Sequence, residues 1–293
     1  MYAKNRQKLI VPMLLPAMLL LVVFFYWPAV NTVWVSFTDW SGVLKSGNFA
    51  GFANYHALFN DSFFLLAVRN TGMFFLIACI IMFPLTLFLA VALRKIPVGG
   101  GTFRFTVFAP VVLSVVVAAV VWKFLLNPEI GLFNELLRLA GLESLTRAWL
   151  GEPSIALVAV VLASIWHGIG TWVILVMAGM DRIPTELYDA SVIDGANEWQ
   201  SFRHVTFPLL GEVLRSLLIL SFVQAMQAFS FIYIMTRGGP QGKTEVMGSY
   251  LYKMAFEGQE FAYGAALSVF MVVIIIVISA VGSRLFKRDT SQY

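Results

Sequence analysis

A short acidic segment in the second half of the sequence carries the side chains best suited to docking on another protein. Its members are Glu186, Asp189, Ala190, Ser191, Asp194, Gly195, Ala196, Phe207 and Pro208. Carboxylates in the first turn of a helix are stabilised by the helix dipole, and small side chains leave room for a second surface. Because long apolar stretches lie on both sides, we expect residues 181–207 to project from a membrane face towards a soluble partner.

Local signals divide this segment into two short helices. Thr185 has the hydroxyl of a helix N-cap, so we expect a helix that begins at Glu186. Gly195 suits a left-handed turn at the C-terminal end of that helix. Asn197 and Gln200 have the spacing of a capping box, which predicts the start of a second helix.

The first of these helices carries apolar side chains at every third position, namely Leu187, Ala190 and Ile193. Residues at this spacing share one face of a helix. Either this face docks on a soluble partner, or the helix lies at the membrane interface and packs on its own protein. The pattern alone favours neither interpretation.

Polar side chains inside two of the apolar stretches are candidates for a solute pathway. They are His167, Gly168, Thr171, Ser221, Gln224 and Gln227. An ionisable group within a membrane span is a functional candidate by default, which applies to His167. An unbonded amide that faces lipid is costly, so the helical face of the two glutamines must meet another helix or a wet cavity.

Each of these candidates also has a purely structural interpretation. A neutral His167 imidazole bonded to a neighbouring carbonyl or hydroxyl would satisfy the same requirement, and the amides would equally serve as links between helices. Sugars carry many hydroxyls and apolar ring faces, which suit amides beside aromatics such as Phe222, Phe229 and Tyr233. Both interpretations remain open.

No set of residues has the spacing of a catalytic or metal site. The three histidines, His56, His167 and His204, fall at three different predicted depths, without a nucleophile–base pair. Residues 238–244 resemble a phosphate-binding loop, but Arg237 replaces its first glycine and no buried-strand pattern precedes it. We therefore expect no catalytic residue, no metal ligand and no nucleotide site in this chain.

The composition is typical of a membrane protein with several spans. Of the 293 residues, 59% are hydrophobic and 12% charged, whereas soluble domains average about 45–50% apolar and about 25% charged residues. The net charge of +4 comes from basic residues at the ends of apolar stretches, where they set membrane orientation, so nucleic-acid binding is not indicated. A single cysteine, Cys79, excludes an internal disulfide.

Six stretches are long and apolar enough to cross a membrane as helices. They are residues 9–30, 71–93, 105–126, 155–180, 208–235 and 262–286. The period-two alternation of a membrane barrel is absent. The first stretch follows three basic residues, and its length and the lack of a small-residue cleavage site favour an uncleaved first helix.

Basic residues favour a cytoplasmic N-terminus. With that orientation, 12 of the 20 lysines and arginines fall on the cytoplasmic side and 8 on the outer side. Lys287 and Arg288 contribute to this bias in the C-terminal tail. Both termini and segment 181–207 are therefore predicted to be cytoplasmic. The outer loop 127–154 has leucines spaced around Glu135 and Arg138, which predicts a short amphipathic helix on the outer surface.

The acidic segment matches a known sequence pattern. Asp189-Ala190-Ser191, Gly195, Val205 and Phe207-Pro208 have the spacing of the EAA loop of ABC importer permeases, with aspartate where that pattern has glutamate. Further motifs are similar to the carbohydrate branch of that family, in order along the chain: residues 36–40, 51–55, 127–128, 131–134, 236–240 and 263–266. The chain therefore resembles the MalF/UgpA-like permeases of carbohydrate importers.

This resemblance implies an all-α polytopic membrane protein with six transmembrane helices and a cytoplasmic coupling helix. It implies one transmembrane domain over residues 1–293, with a core at about 71–286, a first helix at 9–30 and a coupling segment at 181–207. In that family the EAA loop lies in a cleft of a cytoplasmic ATPase subunit. The residues carried over to that cleft are Glu186, Asp189, Ala190, Ser191, Asp194 and Gly195.

The resemblance also implies the partners and the location. The family works with a second homologous permease, two ATPase subunits that bind ATP and magnesium, and an extracytoplasmic solute-binding protein, in the cytoplasmic (inner) membrane of bacteria or archaea. This chain would form half of a sugar pathway and would bind no cofactor itself. The alternatives are an ion-coupled secondary transporter, an importer permease for a non-sugar solute such as glycerol phosphate, and a membrane-embedded enzyme.

Overall fold

A computed structural model describes residues 2–42, 47–96 and 100–285 of the chain. These residues form fifteen α-helices, numbered here in chain order. They are α1 (Tyr2–Leu21), α2 (Trp27–Val35), α3 (Ala53–Asn60), α4 (Ser62–Lys95), α5 (Gly100–Val112), α6 (Val115–Leu125), α7 (Leu132–Leu139), α8 (Ala156–Met180), α9 (Thr185–Ile193), α10 (Glu198–Ser201), α11 (Phe207–Leu209), α12 (Gly211–Met226), α13 (Ser230–Met235), α14 (Met247–Tyr252) and α15 (Phe261–Leu285).

Short π-helical or 3₁₀ segments lie between several of these helices. Three segments are π-helical, Val22–Tyr26, Phe202–Thr206 and Lys253–Glu257, and Glu143–Leu145 forms a 3₁₀ turn. In the described part of the chain, strand pairing is limited to an isolated bridge between Thr38 and Phe49. The predicted all-α class is confirmed.

Long apolar helices confirm the predicted membrane protein. Among the described residues, four continuous helices are long and apolar enough to cross a membrane: Pro12–Val35, Ser62–Arg94, Ala156–Met180 and Phe261–Arg284. Two bent pairs also qualify, Gly101–Val112 with Val115–Leu125 and Glu198–Leu209 with Gly211–Met226. The six predicted spans are present when each bent pair counts as one crossing. The end of the sixth prediction at residue 286, with Lys287 and Arg288, lies outside the described residues.

The third span is not the uninterrupted helix that the sequence predicted over residues 105–126. α5 and α6 meet at an angle of 100°. Ser114, just before α6, has φ −59° and ψ 137°, which is not helical. Pro110 in the last turn of α5 has no N–H to donate, and its ring strains the preceding turn. Apolar length predicted a crossing here, but the local backbone chemistry divides it.

The fifth span, predicted over residues 208–235, is also broken. Three non-helical residues, 227–229, separate α12 from α13. Gly248 of α14 permits the close approach of this segment, since a Cβ at position 248 would lie 3.0 Å from the carbonyl oxygen of Ala228. No proline or glycine occurs at residues 227–229, so this break depends on tertiary packing that the local sequence does not display.

The chain divides into two compact units, Met1–Phe64 with Leu251–Ile274, and Leu65–Tyr250 with Ile275–Tyr293. In the first unit, none of the apolar window of Pro12–Val35 is buried. Its helix extends five residues beyond the predicted end at position 30. The phenol of Tyr263 donates a 2.7 Å hydrogen bond to Asp61, and the side-chain amide of Asn54 donates to the carbonyl of Ser36 at 2.9 Å.

In the second unit, α8 lies at the centre of the core. Half of its apolar window is buried, against 22% for Ser62–Arg94. It packs against α5, α6, α12 and α13. Trp172 of α8 is buried and meets the ring of Phe83 edge to face at 5.5 Å. α8 therefore packs directly against α12, the other helix that carries candidate pathway residues.

The predicted amphipathic helix of the outer loop is present as α7. Leu132, Leu136 and Leu139 are exposed on it, and Arg138 pairs with Glu135 at 3.0 Å. Its helical structure is confirmed, whereas its location on the membrane surface stays a prediction.

Asn134 of α7 holds the following loop in place. Its side chain is 2% exposed and makes four hydrogen bonds. The amide donates to the carbonyls of Pro128 and Arg147, and its oxygen accepts from the backbone N–H of Arg147 and from the indole N–H of Trp149. One buried amide thus joins both ends of the loop.

Replacing Asn134 with alanine should lower the free energy of unfolding by about 2 kcal/mol, because buried partners lose their hydrogen bonds. The measurement is chemical or thermal unfolding of the detergent-solubilised protein. Glu135→Ala is the matched control, because it removes only an exposed ion pair worth at most about 1 kcal/mol. Equal destabilisation by the two variants would contradict this role of Asn134.

Candidate functional site

A cavity of about 340 Å³ lies among α4, α6, α8, α12 and α13. Its wall contains five of the six predicted pathway residues: His167, Gly168, Ser221, Gln224 and Gln227. The first two come from α8, the next two from α12, and Gln227 from the break before α13. Because the broken helices pack against α8, polar groups from two different spans lie around one cavity.

Thr171 is the predicted pathway residue that the cavity does not include. It lies four residues beyond His167 on α8, is exposed, and is not part of the cavity wall. The cavity wall nevertheless continues along α8 to the next residue, Trp172, whose indole is buried.

His167 contacts two different elements from the cavity wall. Its Nε2 lies 3.0 Å from the carbonyl oxygen of Leu113. Since a carbonyl oxygen only accepts, the ring nitrogen carries the proton and donates it. The imidazole also meets the ring of Phe231 at a centroid distance of 5.8 Å and an angle of 63°. His167 therefore makes the structural hydrogen bond that one interpretation required and still borders the cavity.

The three polar residues of the fifth span differ in their surroundings. Ser221 is buried, its hydroxyl donates to the carbonyl of Leu218 at 2.8 Å, and it lies 3.5 Å from the sulfur of Cys79. Gln224 and Gln227 are exposed, and within the described ranges their amides make no hydrogen bond. Ser221 fits a structural role, while the two amides remain available to a solute or a second subunit.

Aromatic rings form much of the remaining wall. Phe229, which we expected beside the amides, lines the cavity, whereas Phe222 and Tyr233 do not. Phe74 and Trp172 also line it, although no local pattern marked them. They reach the cavity only because α4 and α8 pack side by side, which is long-range information. Ser164 was detectable in principle, since it precedes Gly168 by one helical turn and also lines the cavity.

The described residues that line this cavity include no aspartate, glutamate, lysine or arginine. Its polar groups are amides, hydroxyls and the imidazole of His167. A charged solute without a countercharge would lose much hydration free energy in such a site. The wall is therefore suited to an uncharged molecule that carries both hydroxyls and apolar faces.

The second candidate site is the interhelical hairpin, which we define as residues 181–208. It consists of α9, α10, the π-helical turn Phe202–Thr206 and the start of α11. Two hydroxyl contacts join its arms: Tyr188 to Thr206 at 3.0 Å and Ser191 to Ser201 at 2.9 Å. These contacts fix the two arms of the hairpin against each other.

The turn of the hairpin satisfies its own backbone groups. Gly195 has φ +79°, and the N–H groups of Gly195 and Ala196 donate to the carbonyls of Val192 and Ser191, as in a Schellman motif. The predicted left-handed turn is confirmed. The predicted capping box is also confirmed, with both Asn197–Gln200 hydrogen bonds present at 2.8 and 2.9 Å.

Thr185 does not have the capping role that the sequence predicted. It is the first residue of α9, whose N-cap is Pro184, and no side chain caps this end. The extended backbone of Pro184, with ψ 135°, moves the boundary back by one residue, so the Thr185 hydroxyl is no longer in the capping position.

The outer surface of the hairpin combines apolar and acidic side chains. Leu187 is 41%, Val192 68% and Ile193 85% exposed. The predicted contact residues Glu186, Asp189, Ala190, Asp194, Gly195, Phe207 and Pro208 are also exposed. No residue of α9 is buried, which favours a docking surface over a helix packed on its own protein.

Ser191 and Ala196 lie on the inner side of the hairpin. Both are half-buried and line a cavity of about 420 Å³ together with Arg94, Tyr188 and other residues. The guanidinium of Arg94 lies 5.5 Å from the centre of the Tyr188 ring. The structure thus places these two small residues where they support the hairpin from within.

Hydrogen bonds of the Thr244 side chain stabilise the conformation of the glycine-rich loop 238–244. Thr244 is fully buried, and its hydroxyl bonds the carbonyl of Gly239 and the hydroxyl of Thr236, each at 2.7 Å. A phosphate-binding loop needs this hydroxyl for a magnesium ion. In this loop the Thr244 hydroxyl bonds protein atoms instead, and the absence of a nucleotide site stays a prediction.

The chain also matches a known protein family. Residues 8–288 match the family described as "Binding-protein-dependent transport system inner membrane component". This protein belongs to that family of membrane permeases. The resemblance carried by the EAA pattern is confirmed, and membership favours an importer over the ion-coupled and enzymatic alternatives.

Individual relatives cover most of the chain. A probable ABC transporter permease of Pyrococcus horikoshii is 35% identical over 92% of this chain and 92% of its own length. The diacetylchitobiose uptake system permease of Streptomyces coelicolor is 31% identical over 88% of this chain and 76% of its own. A chain of a bacterial ABC transporter for the acidic polysaccharide alginate superposes with a TM-score of 0.85 at 23% identity, covering 98% of both chains, which shows a shared fold.

Replacing Asn197 with alanine should increase amide hydrogen exchange in residues 198–203 roughly fivefold, because loss of an N-cap costs about 1 kcal/mol. Mass spectrometry of peptides from the exchanged protein measures this rate. Asn197→Asp is the matched control, since its carboxylate can still accept from the N–H of Gln200. If both variants exchange as the original protein does, the capping box does not stabilise the hairpin.

Proposed function

We propose that this chain is the permease subunit of an ATP-driven, binding-protein-dependent importer of uncharged carbohydrates. It forms half of the translocation pathway at the cavity and couples to an ATPase through the interhelical hairpin. The observation that carries the proposal is the cavity wall, where the amides of Gln224 and Gln227 lie beside aromatic rings without a charged side chain.

The wall chemistry supports a sugar as the solute. A glutamine amide offers both donors and an acceptor, which suits hydroxyls that donate and accept. Rings such as Phe229 and Phe231 provide apolar surfaces for the faces of a sugar ring. The volume of about 340 Å³ falls in the range of about 300–1,000 Å³ for small-molecule sites. The Streptomyces relative is named for diacetylchitobiose uptake, which also supports a carbohydrate.

The exposed amides support a second permease subunit. Gln224 belongs to a bent pair of helices that could span a membrane, Gln227 follows directly after it, and both are exposed on this chain. Amides that face lipid without partners are costly. A second homologous permease opposite this surface would cover the amides and leave a wet path for the solute between the two chains. Lipid would contact the apolar surface elsewhere, as along Pro12–Val35.

The hairpin supports docking on a cytoplasmic ATPase. Large exposed apolar side chains beside carboxylates are typical of a surface that another protein covers. Leu187 and Ile193 would enter a cleft of the ATPase, with Glu186, Asp189 and Asp194 around them. ATP-driven closure of two ATPase subunits would move the hairpin and tilt the attached helices, so that the cavity opens alternately to each side.

ATP and magnesium would bind to those ATPase subunits, and this chain would hydrolyse nothing itself. The bonded hydroxyl of Thr244 supports this assignment. An extracytoplasmic solute-binding protein would deliver the sugar to the outer loops. This arrangement requires both termini and the hairpin on the cytoplasmic side of a bacterial or archaeal inner membrane, as the basic residues favour.

Gly195→Trp should uncouple ATP hydrolysis from uptake. No atom outside the neighbouring residues lies within 4 Å of a Cβ at this position, so the indole would project into the docking cleft. We expect sugar uptake to fall at least about tenfold while the complex still hydrolyses ATP, since about 1.4 kcal/mol of lost docking energy suffices.

Gly195→Asn is the matched control, because asparagine tolerates positive φ and separates backbone strain from bulk. The measurement is uptake and ATP hydrolysis by the same reconstituted complex. Normal uptake by an assembled Gly195→Trp complex would argue against docking at this turn.

Uptake into proteoliposomes tests the solute assignment. With the partner permease, ATPases and binding protein present, we expect ATP-dependent uptake of diacetylchitobiose, maltose or trehalose. Glycerol 3-phosphate and alginate oligosaccharides, which carry charge, should not enter. Transport of only the charged compounds would refute the proposed solute class.

Gln227→Leu should raise the KM of that uptake about tenfold, because one hydrogen bond contributes about 0.5–1.5 kcal/mol and its loss leaves a solute hydroxyl unpaired. Ile219→Val on the preceding helix α12 is the control, since Ile219 lines a groove towards α15 and not the cavity. An unchanged KM in the Gln227→Leu complex would remove this amide from the pathway.

A further inference from the structure

We propose that His167 is a positioning residue that joins the two helix breaks and thereby fixes the shape of the solute cavity. Its effect on transport rests on the proposed function, whereas the joining of the breaks does not. Two contacts of one imidazole carry the inference: the hydrogen bond to Leu113 and the ring contact with Phe231.

The first contact involves the break in the third span. In a continuous helix the carbonyl of residue 113 would accept from the N–H of residue 117. The 100° bend between α5 and α6 removes that geometry within a membrane-spanning segment. The Nε2–H of His167 replaces the missing donor at 3.0 Å. The side chain therefore stabilises the broken conformation and not the straight one.

The second contact involves the break in the fifth span. Phe231 is the second residue of α13 and follows the non-helical residues 227–229. Its ring meets the imidazole of His167 edge to face, and α13 packs against both α6 and α8. The start of α13 is therefore held by the same side chain that bonds Leu113.

Each contact involves a residue of the cavity wall, although Leu113 itself is not part of that wall. His167, Phe231 and Gln227 all line the cavity, so movement at either break changes the space offered to a solute. Helix breaks also act as hinges, because their backbone torsions change without loss of helical hydrogen bonds. A residue that contacts both breaks makes the two hinges move together. Removing the imidazole should therefore increase the motion of the backbone at both breaks.

Hydrogen exchange of the detergent-solubilised complex tests the linkage without any solute. We expect His167→Leu to accelerate exchange about fivefold in peptides covering residues 110–120 and 226–235, because one hydrogen bond contributes about 1 kcal/mol. His167→Gln should accelerate exchange less than His167→Leu, because its amide N–H can still donate although the ring contact is lost. Ser164→Ala is the control in the same wall, since its hydroxyl bonds only its own helix at Val161.

Acceleration at residues 110–120 alone, or an equal acceleration in His167→Gln, would overturn the linkage. If His167→Leu does not assemble, Phe231→Leu provides the second test, because it removes the ring contact and keeps apolar volume. We then expect faster exchange at residues 110–120, across the other break. Unchanged exchange there would overturn the proposal.

Transport kinetics connect the linkage to function. In the proteoliposome assay with diacetylchitobiose, maltose or trehalose, His167→Leu should raise KM about tenfold with the maximal rate of ATP hydrolysis retained, and His167→Gln should raise KM less. If the original complex takes up no sugar, the proposed function fails while the exchange result stands. If it takes up sugar and His167→Leu changes neither KM nor exchange, only the role of His167 fails.

Discussion

Backbone groups in a membrane must find hydrogen-bond partners within the protein, and the arrangement of the second unit depends on this constraint. An unbroken helix satisfies it alone, whereas a broken one exposes carbonyls that other residues must cover. Here two spans are broken, and a side chain or a close backbone contact lies at each break: His167 at Leu113, and Gly248 at Ala228. Polar side chains are therefore concentrated where the helices are interrupted, and the cavity forms at the same place.

The same constraint has a different outcome at the hairpin. There the turn satisfies its backbone groups with its own residues, through the Schellman contacts at Gly195 and the Asn197–Gln200 pair. Hydroxyl contacts hold the two arms together. The outward side chains are then not needed for the internal structure, which leaves Leu187 and Ile193 available to another protein. A self-supporting turn with an uncovered apolar surface is what a docking element requires.

The sequence predicted those features that short-range chemistry controls. Apolar length located four continuous candidate spans and two bent pairs, and glycine and asparagine chemistry located the hairpin turn correctly. The start of α9 was misplaced by one residue because the extended backbone of Pro184 sets the boundary and no side chain caps this end. The break at residues 227–229 has no proline or glycine, and Phe74 reaches the cavity only through tertiary packing. Five of the six pathway residues were found because polar groups in apolar spans are conspicuous, whereas Thr171 is not part of the wall they share.

α8 differs from its broken neighbours in one respect that has a mechanical consequence. It is continuous from Ala156 to Met180, so a single stiff rod runs from the cavity at His167 to the residue before the hairpin, a distance of about 20 Å at 1.5 Å per residue. The flanking third and fifth spans are interrupted beside the cavity. Substitutions at those breaks can therefore reshape the cavity wall while the rod and its hairpin end stay the same.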